Sequence, residues 1–186
     1  MVIEAVKRLL PQPLKPPLRA ARVGAREAAA IPQLISLQRR LRREWGASLL
    51  LDVHPRDEMA IYGYSRVSPR SKIKYFTTGP QNMRELQAIF DDQGIDLSTV
   101  GEILDFAGGF ARLTRYLVQA APRGRVTHSD IDSEAVMWVG EHLHIRSFPS
   151  TARPENLYHD GRYDLILAIS LFSHLPIANW GGGWSA

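Results

Sequence analysis

Two carboxylates stand where this sequence could do chemistry with them. Asp105 lies in the apolar run Ile103-Leu-Asp-Phe106, and small residues follow at once at Ala107, Gly108, Gly109 and Ala111. Small residues let a backbone approach a ligand closely. A helix that begins directly after such a turn offers free N–H groups to a carboxylate or a phosphate. Asp130 ends a second run, Val126-Thr-His-Ser-Asp130, twenty-one residues beyond Gly109. An acid at that point of a parallel α/β sheet can accept both hydroxyls of a ribose. The turn and Asp130 would then flank one crevice and together specify an adenosine-like ligand.

The elements that must hold these groups alternate. Val100 to Phe106 reads as a strand, Arg112 to Ala121 as a helix, and Arg125 to Ser129 as a second strand. Asp132 and Ser133 can cap a helix through His142, with Ala135, Val136, Val139 and Leu143 on its inner face. Ile145 to Ser150 reads as a short third strand. Tyr163 to Ser170 is nearly all apolar after Asp164, as expected of a strand buried on both faces. Such alternation predicts an α/β fold, a parallel sheet covered by helices; for a Rossmann-like doubly wound sheet the expected strand order is 3-2-1-4. Residues 99–176 form this predicted half-domain, and 177–186 a Gly- and Trp-containing tail.

The phase of the turn distinguishes between adenosine ligands. A dinucleotide fold calls for G-x-G-x-x-G, whereas here the run is Ala107-x-Gly109-x-x-Arg112. The long Arg112 fills the position where a third glycine allows close helix–strand packing. The Asp105 carboxylate would repel a pyrophosphate and favour the cationic amino group and sulfonium of S-adenosylmethionine (SAM). The charges therefore favour SAM over NAD.

The turn resembles motif I of the class I SAM-dependent methyltransferases, D/E-x-G-x-G-x-G. Val126 to Val136 is similar to the second motif of that family, and Tyr163 to Pro176 to its fourth-strand motif. The resemblance implies that Asp105 and the turn of Ala107, Gly108, Gly109 and Ala111 hold the methionine part of SAM. It implies that Asp130 binds the ribose and Ile131 lines the adenine. It places Ser170, with Ile169 and Leu171, beside the methyl-transfer channel. Two family glycines are alanines here, so the turn is expected to be undemanding at 107 and 111. The family's acid after the third strand is not evident, since Ser150 and Thr151 occupy that region. After His174-Leu-Pro176 the family continues with a helix and three more strands. Residues 177–186 cannot supply them, so a C-terminally truncated form is expected.

Upstream, residues 1–46 hold ten Lys/Arg against three Asp/Glu, a net +7 within a chain of +4. They read as a basic helical extension, with a Pro-rich linker near residues 11–18 and a helix over 19–46 interrupted near Pro32. The apolar stripe of Leu34, Ile35, Leu37 and Leu41 is expected to pack on the chain's own domain. A membrane surface or nucleic acid is a less favoured partner for its arginines. Residues 47–98 form an aromatic cap region punctuated by Pro55, Pro69 and Pro80, with a helix from Asn82 to Gln93. Tyr75 and Phe76 could close over a sulfonium, but core packing is the favoured role.

The chain has no cysteine, which excludes disulfides and thiolate metal sites and suits a cytoplasmic protein. His142 and His144 are two apart and make a poor metal pair, and no metal site is expected. No nucleophile elbow or phosphate loop occurs. The expected activity is methyl transfer to an unidentified acceptor, a small molecule being favoured. No residue is assigned a catalytic role. The rivals are an NAD(P)-dependent oxidoreductase and a non-catalytic fragment.

Overall fold

The computed structural model describes residues 15–157, 159–169 and 171. Ser170, His174 and the tail 177–186 lie outside the described residues, as does the first part of the basic extension.

Among the described residues three helices precede the sheet: α1 (Lys15–Trp45), α2 (Glu58–Ile61) and α3 (Pro69–Asp92). The alternating part follows as β1 (Ile103–Phe106), α4 (Thr114–Ala120), β2 (Val126–Asp130), α5 (Ser133–Leu143), β3 (Arg146–Pro149) and β4 (Leu165–Leu167). All pairings are parallel and the order is β3-β2-β1-β4. This is the Rossmann-like arrangement expected, with a helical N-terminal region. In the register Ile103 faces Val126 and Asp105 faces His128, so these four side chains share one face.

The prolines mislead. Residues 15–18, expected in the linker, are helical: α1 begins at Lys15 and carries Pro16 and Pro17 in its first turn. Backbone N–H groups there have no helical partner to lose. Nor does Pro32 interrupt α1, which runs on to Trp45. Leu34, Leu37 and Leu41 bury their side chains against the domain, as expected, while Ile35 is exposed. Burial of three leucines, at about 2 kcal/mol each, outweighs the ~3 kcal/mol of an interior proline. Likewise α3 starts at Pro69 and passes through Pro80, thirteen residues earlier than Asn82. Its start is well signalled. The Ser68 side chain accepts from Ser71 N–H, Ser71 Oγ accepts from Ser68 N–H, and Pro69 holds the first helical position.

One apolar core joins the N-terminal helices to the sheet, running from Leu34 through Tyr75, Phe76 and Met83 to Ile103, Leu117 and Leu143. Tyr75 and Phe76 belong to this core and meet edge to face at 5.4 Å. The inner face of α5 is buried as expected at Ala135, Val136, Val139 and Leu143. The fourth strand departs from expectation. It is three residues long, and Ile166 is 58% exposed while Leu167 is buried. One of its faces is therefore open, where burial on both faces was expected. No helix among the described residues is long and apolar enough to cross a membrane.

Candidate functional site

The turn after β1 is sewn to β2. Gly108 N–H donates to the Ser129 carbonyl at 3.2 Å, and Gly109 N–H donates to Asp130 Oδ2 at 2.8 Å. The Gly109 carbonyl lies 3.0 Å from His128 Nε2. That contact requires the proton on Nε2, which leaves Nδ1 as a buried acceptor with no partner. Asp130 is therefore brought to the turn by its own strand and shares a rim with Asp105.

Asp105 is 2% exposed, and its Oδ2 accepts from Thr114 Oγ1 at 2.6 Å, from the first turn of α4. Burial pushes its carboxyl up to about 6, Thr114 opposing and the nearby Asp130 charge adding to the rise. Burial pushes the His128 imidazole the other way, down to about 4, so it is neutral at physiological pH. Asp130 is half-buried, and its Oδ1 also accepts from Asp132 N–H at 2.9 Å. Asp132, not Asp130, caps α5 by accepting from Glu134 N–H. Ile131 stands 62% exposed just past the strand end. Ser150 N–H donates to the Asp130 carbonyl at 2.8 Å, which places the end of β3 on the same rim.

The turn is not undemanding at its alanines. Ala107 has φ +60° and Ala111 φ +61°, with Gly109 between them at +55°. Three left-handed residues at alternate positions bend the chain sharply between β1 and α4, and the Gly108 and Gly109 N–H groups are aimed at the end of β2. An alanine in this conformation costs about 1 kcal/mol relative to glycine, so the alanines strain the turn. Gly108 is required for space. A Cβ there would sit 2.7 Å from His128 Cδ2 and 2.8 Å from Asp105 Oδ2.

Two groups that the sequence reading passed over hold the turn in place. Arg115 is completely buried on α4 and uses all five of its N–H donors. Nε donates to the Ala111 carbonyl, and one Nη2 hydrogen to that of Phe110. Nη1 donates to the carbonyls of Leu50 and Asp52, and Nη2 also to the Tyr75 hydroxyl. The guanidinium lies 5.1 Å from the Tyr75 ring and 5.6 Å from that of Phe76. Asp57 sits buried beside it. Burial raises the Asp57 carboxyl above the usual range, while Tyr75 and the Arg115 charge pull it down. The second group is His54, whose ring stacks on Phe110 at 4.3 Å. Its Nε2 lies 3.2 Å from Glu134 Oε1 on α5. Arg56 pairs with the same Glu134. The segment 50–57 is thus bound both to the turn and to α5.

His128 had a signal in the sequence, since Thr-His-Ser is a polar run inside a strand expected at the sheet's centre. Arg115 had none, because it lies between Thr114 and Tyr116 with nothing to set it apart from a solvated arginine. Among the described residues no group of His, Cys, Asp and Glu could hold a metal ion.

No family model and no curated protein sequence matches the chain. Among solved structures, that of the plantazolicin methyltransferase BpumL in complex with SAH is similar at 18% identity and a TM-score of 0.34. The similarity covers 70% of this chain and 49% of that one, so the chain spans about half the length of the structure it matches.

Proposed function

We propose that the chain binds SAM in the crevice at the carboxyl ends of β1 and β2 and serves methyl transfer to a small-molecule acceptor. One observation supports this above the rest. Asp105 and Asp130 lie on the same rim, Asp130 bound to the Gly109 N–H of the small-residue turn and Asp105 bound to Thr114 just beyond it. The two ends of the ligand have opposite needs. The small-residue turn lets the backbone approach the methionine part closely, and the Asp105 carboxylate suits its amino group and sulfonium. Asp130 spends one lone pair on Gly109 and one on Asp132, which leaves others for two ribose hydroxyls. Exposed Ile131 offers an apolar wall to adenine. Ser170, from the sequence pattern alone, belongs beside the reacting methyl group.

A sulfonium is an intrinsically good methyl donor, so these residues bind, orient and exclude water. A buried carboxyl raised to about 6 is nearly all ionised at pH 7.5 and strengthens further beside a cation. NAD(P) would set its pyrophosphate against Asp105. The strained alanines cost folding stability and leave the site in place.

Thermal unfolding with S-adenosylhomocysteine (SAH), SAM and NADH tests the reading. Saturating SAH is expected to raise the melting temperature, because a ligand that binds only the folded state stabilises it. A shift with NADH and none with SAH or SAM would replace the proposal by the oxidoreductase. No shift with any of the three would leave the non-catalytic fragment.

A further inference from the structure

Helices α1 and α3 run side by side in the same direction. Glu27 on α1 accepts from Arg70 N–H on α3 at 3.1 Å, and farther along Glu44 accepts from Arg84 Nε at 2.9 Å. Between their first halves opens a cleft of about 470 Å³, walled by Arg26, Gln33, Tyr64, Arg70, Ile73 and Lys74. It shares no residue with the crevice at the strand ends.

Its walls carry three cations from two helices. Arg70 and Lys74 are four apart and so neighbours on one side of α3, while Arg26 reaches the cleft from α1. Two of them are held in place by neutral groups. Lys74 Nζ donates to the Tyr62 carbonyl at 3.2 Å and lies 4.6 Å over the Tyr62 ring. The Arg70 guanidinium lies 5.9 Å from the centre of the Tyr64 ring. Such contacts orient a cation without neutralising it. Among the described residues none of the three forms an ion pair with a carboxylate. The acid at this end of α3 is Glu27, whose carboxylate accepts from the backbone of its first turn. One anionic group is therefore already drawn here, and the three cations still exceed it.

We propose that this cleft binds a phosphate monoester. A monoester carries nearly two negative charges at neutral pH and several acceptor oxygens, which matches two guanidinium groups and an ammonium on facing walls. A single carboxylate would leave part of that charge unanswered. Ile73, Tyr64 and the small side chains of Ala29 and Ala30 give an organic body an apolar surface. The same headgroup chemistry is presented by a soluble metabolite or by phosphatidic acid in a membrane.

The test titrates the full chain with glycerol 3-phosphate by calorimetry and cosediments it with vesicles of phosphatidic acid or of phosphatidylcholine alone. The expected result is saturable uptake of the soluble ester, weakened about tenfold or more in Arg70→Gln/Lys74→Gln. Arg26→Gln, on the opposite wall, weakens it as well. These side chains are exposed, so the variants are expected to melt with the wild type. Uptake by phosphatidic acid vesicles alone, lost in the same variants, assigns the ester to a lipid headgroup. Failure of both probes to bind, equal binding to phosphatidylcholine, or full binding by the double variant overturns the proposal.

Discussion

Asp105 and His128 face each other across the β1–β2 pair, and their protons pull stability in opposite directions over one pH window. Asp105 rises from 3.8 to about 6 on folding. The folded chain keeps that proton longer than the unfolded one, so the contribution is present at low pH and lost as pH climbs through 6. His128 falls from 6.5 to about 4. Its contribution is complete above 6.5 and lost as pH falls toward 4. Each amounts to about 3 kcal/mol at 1.36 kcal/mol per unit, so between pH 4 and 6.5 they nearly cancel. Asp105→Asn removes one side of the balance. Urea unfolding should find the variant more stable than wild type at pH 8, and should find that advantage shrinking as pH falls to 4.5. Parallel stability profiles for the two proteins would contradict the assignment. A second substitution isolates the strain in the turn. Ala107→Gly frees a φ of +60° and should stabilise by about 1 kcal/mol, read from the same unfolding curves. Gly108→Ala should destabilise by about 1–3 kcal/mol, because its Cβ meets two buried side chains. The two acids were legible from the sequence, since Asp105 lies in an apolar run just before the small-residue turn and Asp130 stands at the end of the second predicted strand. The left-handed alanines were not. Composition shows that a residue is small, and only the path of the backbone shows which torsion it must adopt.

Between elements, Arg115 ties α4 to the segment after α1 and to α3. A buried arginine is expensive to desolvate, and here five hydrogen bonds and the neighbouring Asp57 offset that cost. Arg115→Met leaves the Leu50, Asp52 and Phe110 carbonyls unpaired and Asp57 without its counter-charge. The expected loss is about 3–5 kcal/mol, seen as a lower urea midpoint. A change below ~0.5 kcal/mol would mean the site tolerates an empty clamp. A further contact explains why α3 continues through Pro80. At Gly79 a Cβ would lie 3.1 Å from Tyr116 Cε2 and 3.3 Å from the Arg112 carbonyl. Helix α3 thus presses on the start of α4 just where its own ladder is weakened. Tertiary packing overrides the local signal at Pro80 and at Pro32, which is why both helices were misjudged while the cap at Asp132 was readable. Periodicity recovered α5 correctly because its inner face carries nothing but apolar side chains.

Over the whole molecule, the alternation of elements made the parallel sheet legible, its order came from the Rossmann-like pattern, and a parallel sheet sets the carboxyl ends of β1 and β2 on one rim. The fourth strand was misjudged for a reason at this scale. Its composition is apolar, but a face is buried only if another element covers it, and Ile166 remains largely exposed. The charge distribution is likewise a property of the whole, with the basic excess in the N-terminal helix and a slight acidic excess in the sheet region.

The most direct test is the affinity for SAH by calorimetry in wild type and in Asp130→Asn, with thermal melts as a check on folding. One site per chain is expected. The substitution should weaken it by about 2–3 kcal/mol, on the order of a hundredfold, as charge-assisted bonds to the ribose are lost. Absence of saturable binding in the wild type, or equal affinity in the two proteins, would contradict the crevice as the seat of the cofactor.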